Sequence, residues 1–354
     1  MVIFTRPLLA IPFATAFTSL ANQFSTFFMP NKRKRTIAII DLGTNTFRLL
    51  IAVPDSIMMF KSVYEDKVYV KLAKTGIDFI GNEAYGRALA AMKKFRSKIN
   101  HYHATEVYAF ATEGMRRANN SEQLIAEVKE RYDIAIRRIS GDMEATFIYH
   151  GIMQVADLSS KPHLLMDIGG GSTEFIIANH EQIFWKRSFP LGGTVLKQMF
   201  HTEEPITPDA LTNLTRYLID ELQPLWEAAA GFTDINTLIG TSGTFSSINK
   251  MTAAAQDLKL DNSEHLFQID LDTTRRLGEH LLFSNLEERM NIRGLEPERA
   301  QLIVVTYQLV KLVLERLRIQ QLFYSGYAIK EGVLWYVFNK PEVMDQEGQG
   351  LHID

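Results

Sequence analysis

Cysteine is absent from the 354 residues, which removes a disulfide framework, a thiolate nucleophile, a zinc ribbon and a cysteine-ligated iron–sulfur cluster from consideration. Nor does one sign of charge dominate, since 38 Lys+Arg face 41 Asp+Glu for a formal charge of −3. A chain-wide surface for polyanions is therefore not expected, a nucleic-acid duplex is not an expected partner, and any polyanion contact must be local. The apolar segment 7–24 holds Pro7 and Pro12 and scattered Thr, Ser and Asn. It is too broken for a spanning helix, so no membrane partner is expected. Familiar nucleotide and nucleophile signatures are missing too. No Gly-x-x-x-x-Gly-Lys-Ser/Thr segment occurs, and Gly169-Gly170-Gly171 fails as a dinucleotide fingerprint because Glu174 stands where its third glycine belongs. Gly240-Thr241-Ser242-Gly243 is not a nucleophile elbow, since position 244 is Thr.

What is present is globular material. With 46% hydrophobic and 22% charged residues the composition does not suit long disorder, and at roughly 100–200 residues per domain the length suggests two domains. Between Met1 and Asn31 the only charge is Arg6. A signal peptide would use Arg6, the broken apolar core Leu8–Phe17 and a cleavage point near Ala21. The preferred reading is plainer: the folded chain begins near Met29, after a leader, and Lys32–Arg35 is a solvated arm. The expected organisation is a leader or arm over 1–35, a first domain over 36–160, a second over 161–340, and a tail over 341–354.

Patterning predicts a strand at Thr36–Ile40, a tight turn at Asp41-Leu42-Gly43-Thr44-Asn45-Thr46, and a returning strand at Phe47–Val53. A third strand is expected at Val68–Leu72, a helix over Glu83–Ile99, a strand at Val107–Ala111, a helix over Ser121–Arg131 capped by Ser121, a strand at Ile134–Ile139, and a helix over Asp142–Val155. The second half opens in the same way, with His163–Met166, then Asp167-Ile168-Gly169-Gly170-Gly171-Ser172-Thr173-Glu174, then Phe175–Ala178. Aligned on Asp41 and Asp167, an offset of 126 residues, Gly43 falls on Gly169 and Ile51-Ala52 on Ile177-Ala178. Two such hairpins of matching length indicate an internal duplication. Helices over Asp209–Ala229, Glu298–Leu317 and Ala328–Phe338, with strands at Thr237–Ile239 and Gln320–Tyr324, complete an α/β fold in two related halves.

Glycine-rich turns expose successive backbone N–H groups, which suits them to wrap phosphate oxygens. An Asp at the strand end can hold a hydrated divalent cation against those oxygens. One such turn is a common hairpin, but two at the same place in two halves can clamp a phosphate chain from both sides. The residues alone therefore indicate a phosphate-handling α/β protein, a kinase or a phosphohydrolase.

At this point the sequence resembles a known family. Asp41-Leu42-Gly43-Thr44-Asn45-Thr46-Phe47-Arg48-Leu49 is similar to the first phosphate loop of the exopolyphosphatase / guanosine pentaphosphate phosphohydrolase family, and Asp167–Glu174 to its second. Thr112–Ala118 resembles its Thr-x-x-x-Arg-x-Ala segment, Ser140–Ala145 its Ser-Gly-x-x-Glu-Ala, Gly240–Thr244 its Gly-x-Ser-Gly-Thr, and Ser325–Leu334 its Ser-x-x-Ala-Leu-Arg-Glu-Gly-Val-Leu. The resemblance covers about residues 36–338. It implies two duplicated actin-like (ribonuclease H-like) domains with the active cleft between them, and release of orthophosphate from the end of polyphosphate or from guanosine pentaphosphate. It further implies Mg²⁺ or another divalent cation and a cytoplasmic location, and it leaves a homodimer open.

Carried onto this chain, the resemblance implies Glu144 as the base that orients or deprotonates water, where a lone helix Glu would otherwise read as a solvated carboxylate. It implies Asp167 and Glu174 as metal ligands, with Asp41 a weaker candidate, against turn-capping carboxylates as the plain alternative. Phosphate would meet Gly43, Thr44, Asn45, Arg48, Arg116, Gly169, Gly170, Gly171 and Ser172. Gly240, Ser242, Gly243, Thr244 and Lys330 are further cleft candidates, and Arg117 reads as a surface arginine. Three departures stand out. Met143 replaces an acidic residue, Lys330 replaces Arg and loses its fork, and the family's Arg-Ala-Asp becomes Arg299-Ala300-Gln301, with Thr306 for a following Gly. A longer form of the family carries a further helical domain, and this chain reads as the short form. A catalytically weak sensor of guanosine tetra- or pentaphosphate is the alternative function. His101, His103 and His352 read as solvated loop histidines.

Overall fold

The computed structural model describes residues 35–56, 58–261 and 263–344. The leader up to residue 34 and the tail from 345 lie outside the described residues. Strands β1 (Ile37–Leu42), β2 (Thr46–Pro54) and β3 (Phe60–Tyr69) form an antiparallel meander. After helix α1 (Asn82–His101), β4 (Glu106–Ala111) runs parallel to β1. Helices α2 (Glu113–Arg117) and α3 (Ser121–Tyr132) and strand β5 (Ile136–Arg138) complete a sheet in the order β3-β2-β1-β4-β5. Helix α4 (Gly141–Ile152) follows. The second half repeats the meander as β6 (His163–Ile168), β7 (Thr173–Ala178) and β8 (Ile183–Phe189), then α5 (Gly193–Phe200), α6 (Pro208–Glu221), α7 (Gln223–Ala230) and β9 (Thr237–Thr241), which is parallel to β6. Helix α8 (Ser242–Ala255), β10 (Leu266–Ile269), α9 (Leu271–Phe283), α10 (Leu286–Met290), a 3-10 turn (Pro297–Arg299), α11 (Ile303–Arg316), β11 (Gln321–Ser325), α12 (Ile329–Asn339) and α13 (Pro341–Met344) follow. They close a sheet in the order β10-β11-β9-β6-β7-β8.

The duplication extends to single residues. Asp41 sits opposite Arg48 in the β1–β2 ladder, and Asp167 opposite Glu174 in β6–β7, each 126 positions on. The turns close with the same bond, Gly43 N–H to Thr46 O at 3.2 Å and Gly169 N–H to Ser172 O at 2.9 Å. Even the irregularities coincide, between Ile51 and Ala52 in β2 and between Ile177 and Ala178 in β7.

Alternate residues of each strand serve opposite faces. In β1, Ala38, Ile40 and Leu42 enter the core under α1 and α3, whereas Ile37 and Ile39 join α4 and α12. In β6, Leu164, Met166 and Ile168 enter the core built by α6 to α11, whereas Leu165 turns to the same central layer of α4 and α12. The inner strands β1, β6, β7 and β9 are therefore covered on both faces and read as near-continuous apolar runs, whereas the edge strand β3 is largely exposed and polar. The central layer is tight. A Cβ on Gly332 of α12 would lie 1.8 Å from Phe147 O, and one on Gly151 2.0 Å from Ala328 O, so the α4–α12 crossing requires glycine at both points.

Several expectations are corrected. The third strand covers Phe60–Tyr69 rather than Val68–Leu72. Residues 70–72 instead fold onto the first turn, Val70 and Lys71 N–H reaching Asn45 O (3.0 and 2.9 Å) and Leu72 N–H reaching Thr44 O (2.8 Å). The helix expected over Asp209–Ala229 breaks at Leu222, because Pro224 suits only the first turn of a new helix. The helix expected from Glu298 begins at Ile303, after the Pro297–Arg299 turn. Asn120, not Ser121, is the cap position of α3, and its side chain is used elsewhere, bonding Ile80 N–H and O at 2.9 and 3.0 Å. Among the described residues no helix is long and apolar enough to cross a membrane.

Candidate active site

The two glycine turns leave the carboxyl ends of β1 and β6, where α/β sheets place their ligand sites. They meet face to face. A Cβ on Gly170 would stand 3.1 Å from Thr44 Cβ and 3.2 Å from Asn45 N, and one on Gly171 2.7 Å from Thr44 Oγ1. Between and around them opens a cleft lined by Asp41, Gly43, Thr44, Asn45, Thr46, Arg48 and Thr112 from the first half and by Glu144 of α4. Asp167, Gly169, Gly170, Gly171, Ser172, Ser242, Gly243 and Arg299 line it from the second half. Residues far apart in sequence thus share one hollow.

Four carboxyls gather here. Asp41 Oδ1 and Asp167 Oδ1 are buried without a hydrogen-bond partner, as are Asn45 Nδ2 and Thr46 Oγ1. Buried polar atoms are normally paired, so open acceptors and donors in one cleft mark a place built for something else. Burial raises the Asp41 carboxyl to about 6 against the pull of Arg48. Burial likewise raises Asp167, with a hydrogen bond from Ser242 and the charges of Arg48 and Arg299 opposing. Glu174 stands behind Asp167, takes a 2.6 Å bond from Ser188 Oγ, and is pushed to about 8 by burial and by Asp167. Glu144 is 5% exposed, and burial followed by the charge of Glu174 pushes its carboxyl well above the usual range.

The cations divide into two kinds. Arg48 and Arg299 line the cleft and, among the described residues, make no ion pair. Burial and then the charge of Arg48 pull the Arg299 guanidinium below its usual value. Arg48 feels the charge of Asp41 across the ladder, and Arg299 lies over the Tyr69 ring with its Cζ 5.8 Å from the centroid, so neither fork is filled by a carboxylate. Arg116 is different, because its fork is filled: it donates to Glu113 Oε2 (2.8 and 3.1 Å), Ile139 O (2.7 Å) and Glu144 Oε2 (3.0 Å). The structure therefore places Arg116 behind Glu144, holding it, and not on the cleft wall. Lys330 pairs with Glu331 at 2.8 Å and lines an adjoining hollow.

Of the remaining candidates, Ser242 joins β9 to α8 with φ 64°, a strained value for serine. Gly243 makes room for Arg299, whose Cζ would lie 2.0 Å from an added Cβ. Gly240 serves packing, with Phe245 Cδ1 2.1 Å from an added Cβ, and Thr244 is buried in the first turn of α8. Met143 belongs to the central apolar core and is 4% exposed. It does not leave a gap in the cleft. Arg299 is a cleft-lining residue that the sequence does not single out; its Arg-Ala motif is legible, but the break between the Pro297–Arg299 turn and α11 is not.

The Ppx/GppA phosphatase family profile matches residues 50–340. A Fusobacterium nucleatum protein named bifunctional 3-dehydroquinate synthase/phosphatase is 30% identical over 292 residues, which is 78% of this chain and 43% of that relative. The chain thus spans less than half of that protein's length. A crystal structure of an exopolyphosphatase from Cytophaga hutchinsonii is 34% identical, superposes with a TM-score of 0.83, and is matched over 86% of this chain and 98% of its own. The Aquifex aeolicus Ppx/GppA enzyme, 23% identical with a TM-score of 0.70 over 85% of this chain and 99% of its own, shares the fold. By the profile matched across residues 50–340, with which the duplicated pair of α/β halves agrees, this chain belongs to the Ppx/GppA phosphatase family.

Proposed function

We propose that the chain releases orthophosphate from the end of inorganic polyphosphate or from guanosine pentaphosphate. The observation that carries this reading is that two guanidiniums without an ion pair, Arg48 and Arg299, line the same hollow as both glycine turns and the open carboxylate oxygens of Asp41 and Asp167. A terminal phosphoanhydride supplies the anion those groups lack. The exopolyphosphatase named among the similar structures supports the substrate class. Residues 36–160 and 161–340 are read as the two domains that flank the cleft, and the repeated strand order on either side supports that division.

The residues suit a divalent cation. Asp41 Oδ1 and Asp167 Oδ1 are buried acceptors without partners, and burial holds both carboxyls above their usual range, a penalty that a cation removes. Among the described residues no three or more His, Asp or Glu side chains are arranged to hold a metal ion by themselves. That fits Mg²⁺, which is held by one or two carboxylates and otherwise by water and substrate phosphates. Asp41 and Asp167 would hold it, with Glu174 supporting from behind Asp167. When bound, it neutralises charge on the phosphate oxygens.

In this reading the turns 43–45 and 169–172 cradle the terminal phosphates while Arg48 and Arg299 clamp their oxygens. Glu144 takes the proton of the attacking water, and a carboxyl raised by burial is a stronger proton acceptor than a free one. Arg116 fixes the Glu144 carboxylate in place. The test is phosphate release from long polyphosphate and from guanosine pentaphosphate, side by side, with and without Mg²⁺. Turnover of either supports the proposal, and failure with both refutes it.

A further inference from the structure

A second hollow continues outward from the inner cleft, and Arg48, Ser242, Gly243 and Arg299 line both. Its outer wall adds Lys67 of β3 and Lys250 of α8, charge enough to follow an anion away from the reacting end. Both lysines are already occupied. Glu296, in the loop before the Pro297–Arg299 turn, accepts from Lys67 Nζ and from Lys250 Nζ at 2.7 Å each and from the Tyr69 hydroxyl at 2.9 Å. Two ammoniums and a hydroxyl on one carboxylate form the donor set that a phosphate group recruits. The other acids of this hollow are engaged elsewhere, Asp66 with Lys94 at 2.7 Å and Glu65 with the Ser62 hydroxyl at 3.1 Å. Burial pushes the Glu296 carboxyl up, but the bonds from Lys250, Lys67 and Tyr69 outweigh it and hold it at about 2. Glu296 is therefore ionised at neutral pH.

We infer that Glu296 is a specificity-determining residue, a built-in anion that withholds Lys67 and Lys250 from the substrate and so limits how many phosphates beyond the reacting one the cleft engages. This deepens the phosphohydrolase reading and rests on it for the chemistry, but the claim itself concerns anion binding. A short anion is served by Arg48 and Arg299. A long one gains Lys67 and Lys250 only by displacing Glu296, so the resident carboxylate penalises length.

The test measures binding of tripolyphosphate and of long-chain polyphosphate by calorimetry over a series of KCl concentrations, with phosphate release followed in parallel. Wild type is compared with Glu296→Gln and with Glu296→Ser, two substitutions of different size, so that one poorly folded variant does not decide the matter. Both should bind the long chain roughly tenfold more tightly than wild type. The two freed ammoniums should steepen the logarithmic salt dependence of that binding by about 1.5. Tripolyphosphate should gain clearly less than the long chain, because removing Glu296 relieves only the charge it places on Arg299, while Lys67 and Lys250 lie beyond its reach in this reading. Adding Lys67→Gln and Lys250→Gln to Glu296→Gln should return both affinity and salt slope to wild-type values. Unchanged or weakened long-chain binding in the Glu296 variants, or equal gains for both anions, overturns the inference and leaves Glu296 a tie between β3 and α8. Wild-type binding without phosphate release overturns the hydrolase reading alone, and the binding series still decides the role of Glu296. A wild type that binds neither anion overturns both.

Discussion

Glu144→Gln isolates the chemical step. The amide keeps the shape of the side chain, and Arg116 retains Glu113 at 2.8 Å and Ile139 O at 2.7 Å when it loses the charge of Glu144. The substitution also removes a buried carboxylate that burial and Glu174 both disfavour, so thermal stability should hold or rise. What the amide cannot do is accept a proton. Loss of a general base typically lowers kcat by ~10²–10⁴-fold, about 2.7–5.4 kcal/mol of barrier. Affinity should hold or improve, because one negative charge leaves the cleft that the proposed function assigns to a polyanion. Phosphate release from polyphosphate and from guanosine pentaphosphate gives kcat, and calorimetry with the same ligands gives the binding constant. A Glu144→Gln protein that keeps kcat within about threefold of wild type removes Glu144 as the base, since that is far below the expected range. Tight binding by a wild type with no turnover, unchanged by Glu144→Gln, points instead to a sensor of guanosine tetra- or pentaphosphate.

Arg48→Ala and Arg299→Ala each remove a charge-assisted phosphate contact worth roughly 1.5–3 kcal/mol; KM should rise about 10- to 150-fold and its salt dependence should flatten, both read from initial rates over a KCl series. Arg116→Gln should act through Glu144: Arg116 pulls that carboxyl down, so without it the base stays protonated to higher pH and the acid limb of kcat against pH moves upward, with little change in KM. Gly332→Ala forces a Cβ to 1.8 Å from Phe147 O, a backbone atom that cannot rotate away, so the melting temperature should fall by several degrees, an overpacking penalty of about 1–3 kcal/mol. Met143→Glu places a carboxylate in the central apolar core rather than in the cleft, and should lower the melting temperature without raising kcat, the opposite of restoring a missing cleft acid.

The repeat itself was determined locally. The two Asp-x-Gly turns, the matching register that sets Asp41 against Arg48 and Asp167 against Glu174, and the coincident irregularities at Ile51/Ala52 and Ile177/Ala178 follow from glycine placement and strand length within a few residues of each turn. Alternating apolar residues then decide which face each strand buries. The family resemblance carried by the motifs brings Glu144, Asp167 and both glycine turns into a common reading.

Side-chain partnership was not determined that way. Arg116 and Arg299 are both arginines within recognisable motifs, yet one is held by Glu113, Ile139 and Glu144 while the other enters the cleft beside Gly243. Met143 and Glu144 are adjacent, but on a helix neighbours point about 100° apart, and the crossing of α12 over α4 sends one into the core and the other to the cleft. Glu296 gains its meaning from Lys67, 229 residues earlier in the chain, and Lys250. Short-range backbone preference could write the two halves into the sequence; which charges meet across them depends on packing between segments far apart, and only the tertiary structure decided that.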